Sequence, residues 1–215
     1  MRTRNAVWLG VVVIAFYGLF FVSTRPHGSS HHETLLVQND PEQININPGD
    51  QDEIKLTLSG IEWKITVRAE YRIAARILHR ERYYLGWQSS FSPVDLALGW
   101  GELADPKADQ WISWSQNMRW YFYRWNGEIP YSTDYILRHS ANVHIVPADN
   151  NLKRAVLELA RNDLVLLQGD LVDIDGRKGS STYWWHTSLT REDSGDGSCE
   201  LLWLKRAVFH NTEYN

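Results

Sequence analysis

Residues 6–22 constrain this chain more than any other stretch. They are 17 consecutive residues without a charge, rich in Val, Leu, Ile and Phe. As a helix at about 1.5 Å per residue the run spans about 25 Å, near the lower limit for a hydrocarbon core. Asn5, Ser23 and Thr24 extend it into the interface, and Trp8 suits a headgroup belt. The run is too long for the apolar region of a cleaved signal. It ends Phe20-Phe21-Val22-Ser23-Thr24, without small residues spaced for a cut. An uncleaved transmembrane signal anchor over residues 6–24 is therefore expected, ahead of a cleaved signal or a buried core helix. Arg2 and Arg4 precede the run and Arg25 alone follows it. This bias keeps residues 1–5 in the cytoplasm and exports the rest. In a Gram-negative cell that predicts a single-pass inner-membrane protein with its C-terminal domain in the periplasm.

The split changes how the charge reads. Residues 1–25 hold three arginines and no acid, leaving 19 of the 22 basic groups and all 26 acidic ones, a formal −7. Such a domain is a poor general match to phosphates, so no nucleic-acid partner is expected. A local basic patch from Arg76, Arg80 and Arg82 is the one counter-indication. Apolar residues at 43% and charged residues at 22% exclude collagen, a disordered chain and a polytopic membrane protein. The single cysteine, Cys199, has no partner for an internal disulfide.

Residues 25–52 carry Pro26, Pro41, Pro48, Gly28 and Gly49 among Asn and Gln, and predict a flexible linker. His27, His31 and His32 within it offer at most a weak metal site. Residues 53–215 read as one periplasmic α+β domain. Ile61, Trp63, Ile65 and Val67 alternate with polar residues as a half-buried strand, entered through a Ser59-Gly60 turn. A second strand is expected over residues 71–78. Ser92-Pro93 before an apolar run ending at Gly99 predicts a short helix. Ser132 is expected to cap another, and Asp149 or Asn150 a third. Residues 163–174 read as a bent strand kinked at Gly169, and residues 183–189 and 199–209 as the last strands. The expected fold is a mainly antiparallel, strongly curved sheet or a small barrel with a few short helices. An OB-like barrel is the first expectation.

Eleven Trp, ten Tyr and six Phe stand out, and residues 111–125 concentrate them: Trp111, Trp114, Trp120, Tyr121, Phe122, Tyr123 and Trp125. Such a block is either core or an aromatic face toward a ligand. His139, Ser140, Asn142 and His144 form an unusually polar junction between a helix and an apolar strand. With Trp120, Tyr121 and Trp100 they make the candidate ligand pocket. No Walker A, G-x-S-x-G, HExxH or CxxC pattern is present. Gly99-Trp100-Gly101-Glu102-Leu103-Ala104 has dinucleotide-type spacing, but Trp100 stands where a phosphate would approach. Two acidic loops, residues 173–179 and 191–198, lack the spacing of a calcium loop. Cys199 is expected as a buried structural thiol, because Glu192, Asp193, Asp196 and Glu200 disfavour a thiolate. No metal site and no cofactor are expected.

Four segments together resemble a known group. They are Asp95-Leu96-Ala97-Leu98-Gly99-Trp100-Gly101, then Ser115-Gln116 with Arg119-Trp120-Tyr121, then residues 139–148 (HSANVHIVPA), then Ser188-Leu189-Thr190-Arg191 with Gly197-Ser198-Cys199-Glu200. Over about residues 65–205 the pattern is similar to a family of bacterial single-span, membrane-anchored proteins with no assigned activity. The resemblance implies a bacterial source and a tethered domain, and it transfers no catalytic residue. The expected function is a non-enzymatic binding or accessory module. Its partners are the bilayer, through residues 6–24, and an envelope protein or a glycan or lipid ligand. The alternatives are a periplasmic hydrolase or metal-dependent enzyme using His139, His144, His186 or Cys199, and a structural subunit of an envelope complex.

Overall fold

The computed structural model describes residues 25–32, 34–191, 195 and 197–215. The expected span at 6–24 lies outside them. No helix among the described residues is long and apolar enough to cross a membrane.

The stretch read as a flexible linker lies on the domain instead. Ser29–Ser30 (β1) pairs with a C-terminal strand, and Glu42–Asn45 (β2) pairs with residues 69–72. His31 is buried, with Nδ1 3.2 Å from Glu213 Oε2. Arg206 grips the same carboxylate at 2.7 and 2.9 Å. Those Arg206 bonds, then His31, hold the Glu213 carboxyl down at about 2. Pro and Gly content signalled turns here, and main-chain bonds to distant strands carry no local signature.

Glu53–Leu58 (β3) turns at Ser59-Gly60, both at positive φ, into a single strand of 22 residues, Ile61–Arg82 (β4). The two strands expected in this region are thus one. It bends where its register shifts, between Val67 and Ala69 and again between Ile77 and His79. A short helix, Trp87–Phe91 (α1), leads to Val94–Gly99 (β5). The helix expected over residues 92–99 is this strand. Every residue of it is buried, with Val94, Leu96 and Leu98 on one face and Asp95 and Ala97 on the other. A strand covered on both sides has no alternation to read.

Two 3-10 turns, Gly101–Ala104 and Pro106–Gln110, open an insertion that contains Ser113–Asn117 (β6) and Trp120–Arg124 (β7). Next come Thr133–Arg138 (α2), Ser140–Pro147 (β8) and Asn150–Val156 (α3). Ser132 caps α2 by accepting from the Tyr135 amide, and Asp149 caps α3 by accepting from the Leu152 amide. Leu164–Lys178 (β9), Ser181–Trp185 (β10), Glu200–Phe209 (β11) and Thr212–Tyr214 (β12) complete the described elements.

Five of these strands close a circuit. β4 pairs antiparallel with β5 and β9, β5 antiparallel with β8, β8 parallel with β11, and β11 antiparallel with β9. Ile73, Ile77, Leu96, Val143, Leu167 and Leu202 meet in its core, with Leu152 and Val156 of α3 packed against them. Gly169 sits where β11 slips register against β9. A Cβ there would lie 2.0 Å from the Trp203 carbonyl oxygen. Beyond the circuit, the first half of β4 and the second half of β9 continue as a sheet with β3 and β10. Trp63, Phe91, Val172 and Ile174 make a second core there.

The three arginines read as a basic patch do other work. Arg76 is fully buried. It holds both Asp109 oxygens at 3.0 Å and the Leu103 carbonyl at 2.9 Å, fixing the base of the insertion. Arg80 and Arg82 donate to the carbonyls of Leu159 and Leu157 just beyond α3.

Candidate functional site: a groove along the outer edge of an arm

Residues 100–139 fold as an arm over the outer face of β5 and β8. Its inner side buries Leu103, Ala108, Ile112 and Trp114 against Leu78 and Ala97. The β6–β7 hairpin turns at Met118 and Arg119, at φ 51° and 73°. Both values belong to a two-residue type I′ turn, which normally takes Asn or Gly. Neither residue is favoured there, so surrounding contacts must hold the turn.

Arg119 supplies them. Its guanidinium Nη1 donates to Asp95 Oδ1 at 2.6 Å and its Nη2 to the Ser92 carbonyl at 3.0 Å. Its Cζ lies 3.7 Å above the Tyr83 ring and 5.2 Å from that of Trp185, an aromatic clamp for a cation. The Arg119 amide donates to the Tyr83 hydroxyl at 2.9 Å. Burial, then the Asp95 charge, pushes the Tyr83 phenol up to about 12, so it keeps its proton.

Asp95 is fully buried and also accepts from Ser92 Oγ at 3.1 Å. His144 Nδ1 stands 2.9 Å from Asp95 Oδ2, a close contact without the alignment of a hydrogen bond. A second chain of bonds runs beside this one. His79 Nδ1 donates to Gln116 Oε1 (3.1 Å), and Gln116 Nε2 donates to Asn142 Oδ1 (2.6 Å). Asn142 Nδ2 donates to the Arg119 carbonyl (2.7 Å) and toward Cys199 Sγ (3.4 Å). The arm is thus pinned from its tip to its middle by buried polar groups.

Between the outer edge of β7 and the segment entering β11 lies a cavity of about 260 Å³. Trp120, Tyr121, Phe122 and Tyr123 form one wall, Ser140 and Asn142 the floor, and Arg191, Cys199 and Glu200 the far side. Ser140 Oγ donates to the Ile136 carbonyl at 2.6 Å and lies 3.3 Å from the Tyr121 hydroxyl. With its own proton committed, Ser140 accepts from Tyr121. Burial raises the Tyr121 pKa and keeps the phenol a donor.

Of the seven candidate pocket residues, Trp120, Tyr121, Ser140 and Asn142 meet here. His144 lies beneath, on Asp95. His139 faces an adjoining groove with Asp40 and Gln43, which shares Thr190 and Arg191 with the cavity; it stacks on Tyr135 at 3.9 Å and bonds the Tyr135 carbonyl. Trp100 is fully buried and spends its indole N–H on Asp40 Oδ1 at 2.9 Å. His186 is elsewhere, 2.9 Å from Asp175. Cys199, expected buried, is half-buried and lines the cavity. Among the described residues no group of three or more His, Cys, Asp or Glu is placed to hold a metal.

Sequence reasoning did not place Arg119, Asp95 or Tyr83 in the site. A lone Asp inside the apolar run of residues 94–98 was the available signal, since a buried carboxylate demands a cation.

No family model, curated protein or solved structure matches this chain.

Proposed function

We propose that this chain is a membrane-tethered binding module of the bacterial envelope. Residues 6–24 anchor it, and an OB-like barrel on the periplasmic side holds a partner without converting it. The circuit β4–β5–β8–β11–β9, with β8 and β11 parallel and α3 between β8 and β9, supports the barrel reading. In that fold ligands lie against the second and third strands, here β5 and β8. The arm covers this face and Arg119 plugs it, so ligand room moves to the outer edge of β7.

The observation that carries the binding reading is the groove's make-up. Trp120 and Phe122 stay 38% and 44% exposed beside a polar floor. Apolar walls with a few placed polar groups are what ligand sites require. His139, His144 and His186, which a hydrolase would gather, instead occupy three separate sets of contacts. The formal −7 of the exported part favours an envelope protein, glycan or lipid over nucleic acid.

A photo-crosslinking amino acid placed at position 122 tests this in intact cells of the source. Leu85, 89% exposed and outside the groove, provides the control position. A discrete adduct from 122 and none from 85 is expected. Equal or absent adducts at the two positions would remove the groove from consideration.

A further inference from the structure

We propose that the groove takes an extended peptide, which adds as a strand to the outer edge of β7. This rests on the reading of the groove as a binding site and names the chemistry of its occupant.

The main chain of β7 carries the argument. Asn117 and Trp120 flank the two-residue turn and pair, as do Ser115 with Phe122 and Ser113 with Arg124. Next to a two-residue turn the flanking pair exchanges both of its hydrogen bonds, and such pairs then alternate along the ladder. So Trp120, Phe122 and Arg124 direct their N–H and C=O groups to β6. Tyr121 and Tyr123 direct theirs the other way, along the wall of the cavity. Among the described residues no strand pairs with that edge. The edge also lacks the usual guards: β7 reads Trp-Tyr-Phe-Tyr-Arg, with no Pro, no Lys, and its one charge at the end.

Two donors and two acceptors spaced as a ladder fit another main chain. A glycan stacking on Trp120 and Phe122 would use ring faces and leave those four groups unused. The pleat sets the side-chain pattern of the occupant. Residues facing outward lie beside Trp120 and Phe122 and gain by being apolar. Residues facing inward lie above Ser140 and Asn142, where small or polar side chains fit. Size argues for a segment over a second copy of this chain. A stable dimer needs about 1,200 Å² or more of total buried surface. A five-residue edge beside a 260 Å³ cavity offers room for a short strand.

The test uses the full chain in detergent and a displayed library of linear decapeptides, with the best selected peptide as the probe. Amide hydrogen exchange is read residue by residue with and without it. The expected result is about tenfold or more slowing at Tyr121 and Tyr123, with little change at Trp120 and Phe122, already bonded to β6. N-methylation of the probe at alternate residues should abolish binding in a period of two. Failure to select any binder would overturn the proposal. So would a bound peptide that leaves the Tyr121 and Tyr123 amides unprotected, or protection that appears without peptide as the chain dimerises. If those amides stay unprotected while the Trp120 and Phe122 side chains still respond to some ligand, strand addition fails and the binding reading survives. If nothing perturbs the groove, both fail.

Discussion

Asp95→Ala is expected to lower the stability of the folded chain by about 3–5 kcal/mol, the cost of leaving one partner of a buried ion pair alone. Asp95 is fully buried and the Arg119 side chain only 15% exposed, so water does not replace the lost carboxylate without moving the arm. His144 loses its close contact with the carboxylate at the same time. Urea unfolding of the full chain gives the number, as a lower midpoint with an unchanged slope. Adding Arg119→Met should recover part of the loss, because an apolar pair of similar size escapes the desolvation cost. A loss under about 1 kcal/mol would mean that the arm is held by its apolar contacts alone.

Gly169→Ala is expected to cost about 3 kcal/mol, at the upper end of ordinary overpacking. The φ of Gly169 is not in the left-handed region, so the requirement is space rather than backbone freedom. The methyl would press on the main-chain oxygen of Trp203, which has no side-chain freedom with which to retreat. Closure of the circuit between β9 and β11 depends on that approach. A change within about 0.5 kcal/mol, typical of an unconstrained surface site, would show that the two strands are not pressed together there.

These two residues also mark what was legible in the sequence. The irregularity beside Gly169 is a register slip in β11, between Leu204 and Arg206, while the pairing of β9 with β4 runs unbroken through Gly169. The Ser59-Gly60 turn and the caps at Ser132 and Asp149 rest on local chemistry, and each stands where local chemistry put it. The β5 strand did not, because the Ser-Pro start and Gly end of a helix outweighed a run that tertiary cover on both faces turns into a strand. Residues 25–52 read as tether because β1 and β2 take their partners from the far end of the chain and from the middle of β4.

The site was half legible for the same reason. Ser140 and Asn142 stand out as polar residues in an apolar strand. Cys199 and Glu200 reach them only through the parallel pairing of β11 with β8, where Glu200 lies beside Val143. That juxtaposition joins segments nearly 60 residues apart, and no short-range pattern encodes it. Arg119 was hidden by its aromatic neighbours, which drew attention to the block rather than to the one cation that fixes it.

The central claim is an exported domain with an open groove at the β7 edge, and Cys199, the only thiol in the chain, reports on both parts of it. The measurement is its rate of reaction with a small, membrane-impermeant thiol reagent, in intact cells whose outer membrane has been permeabilised. The account predicts labelling without lysis, at a rate below that of the urea-unfolded chain, because Cys199 is half-buried at the groove wall. Labelling that appears only after the inner membrane is broken would contradict it.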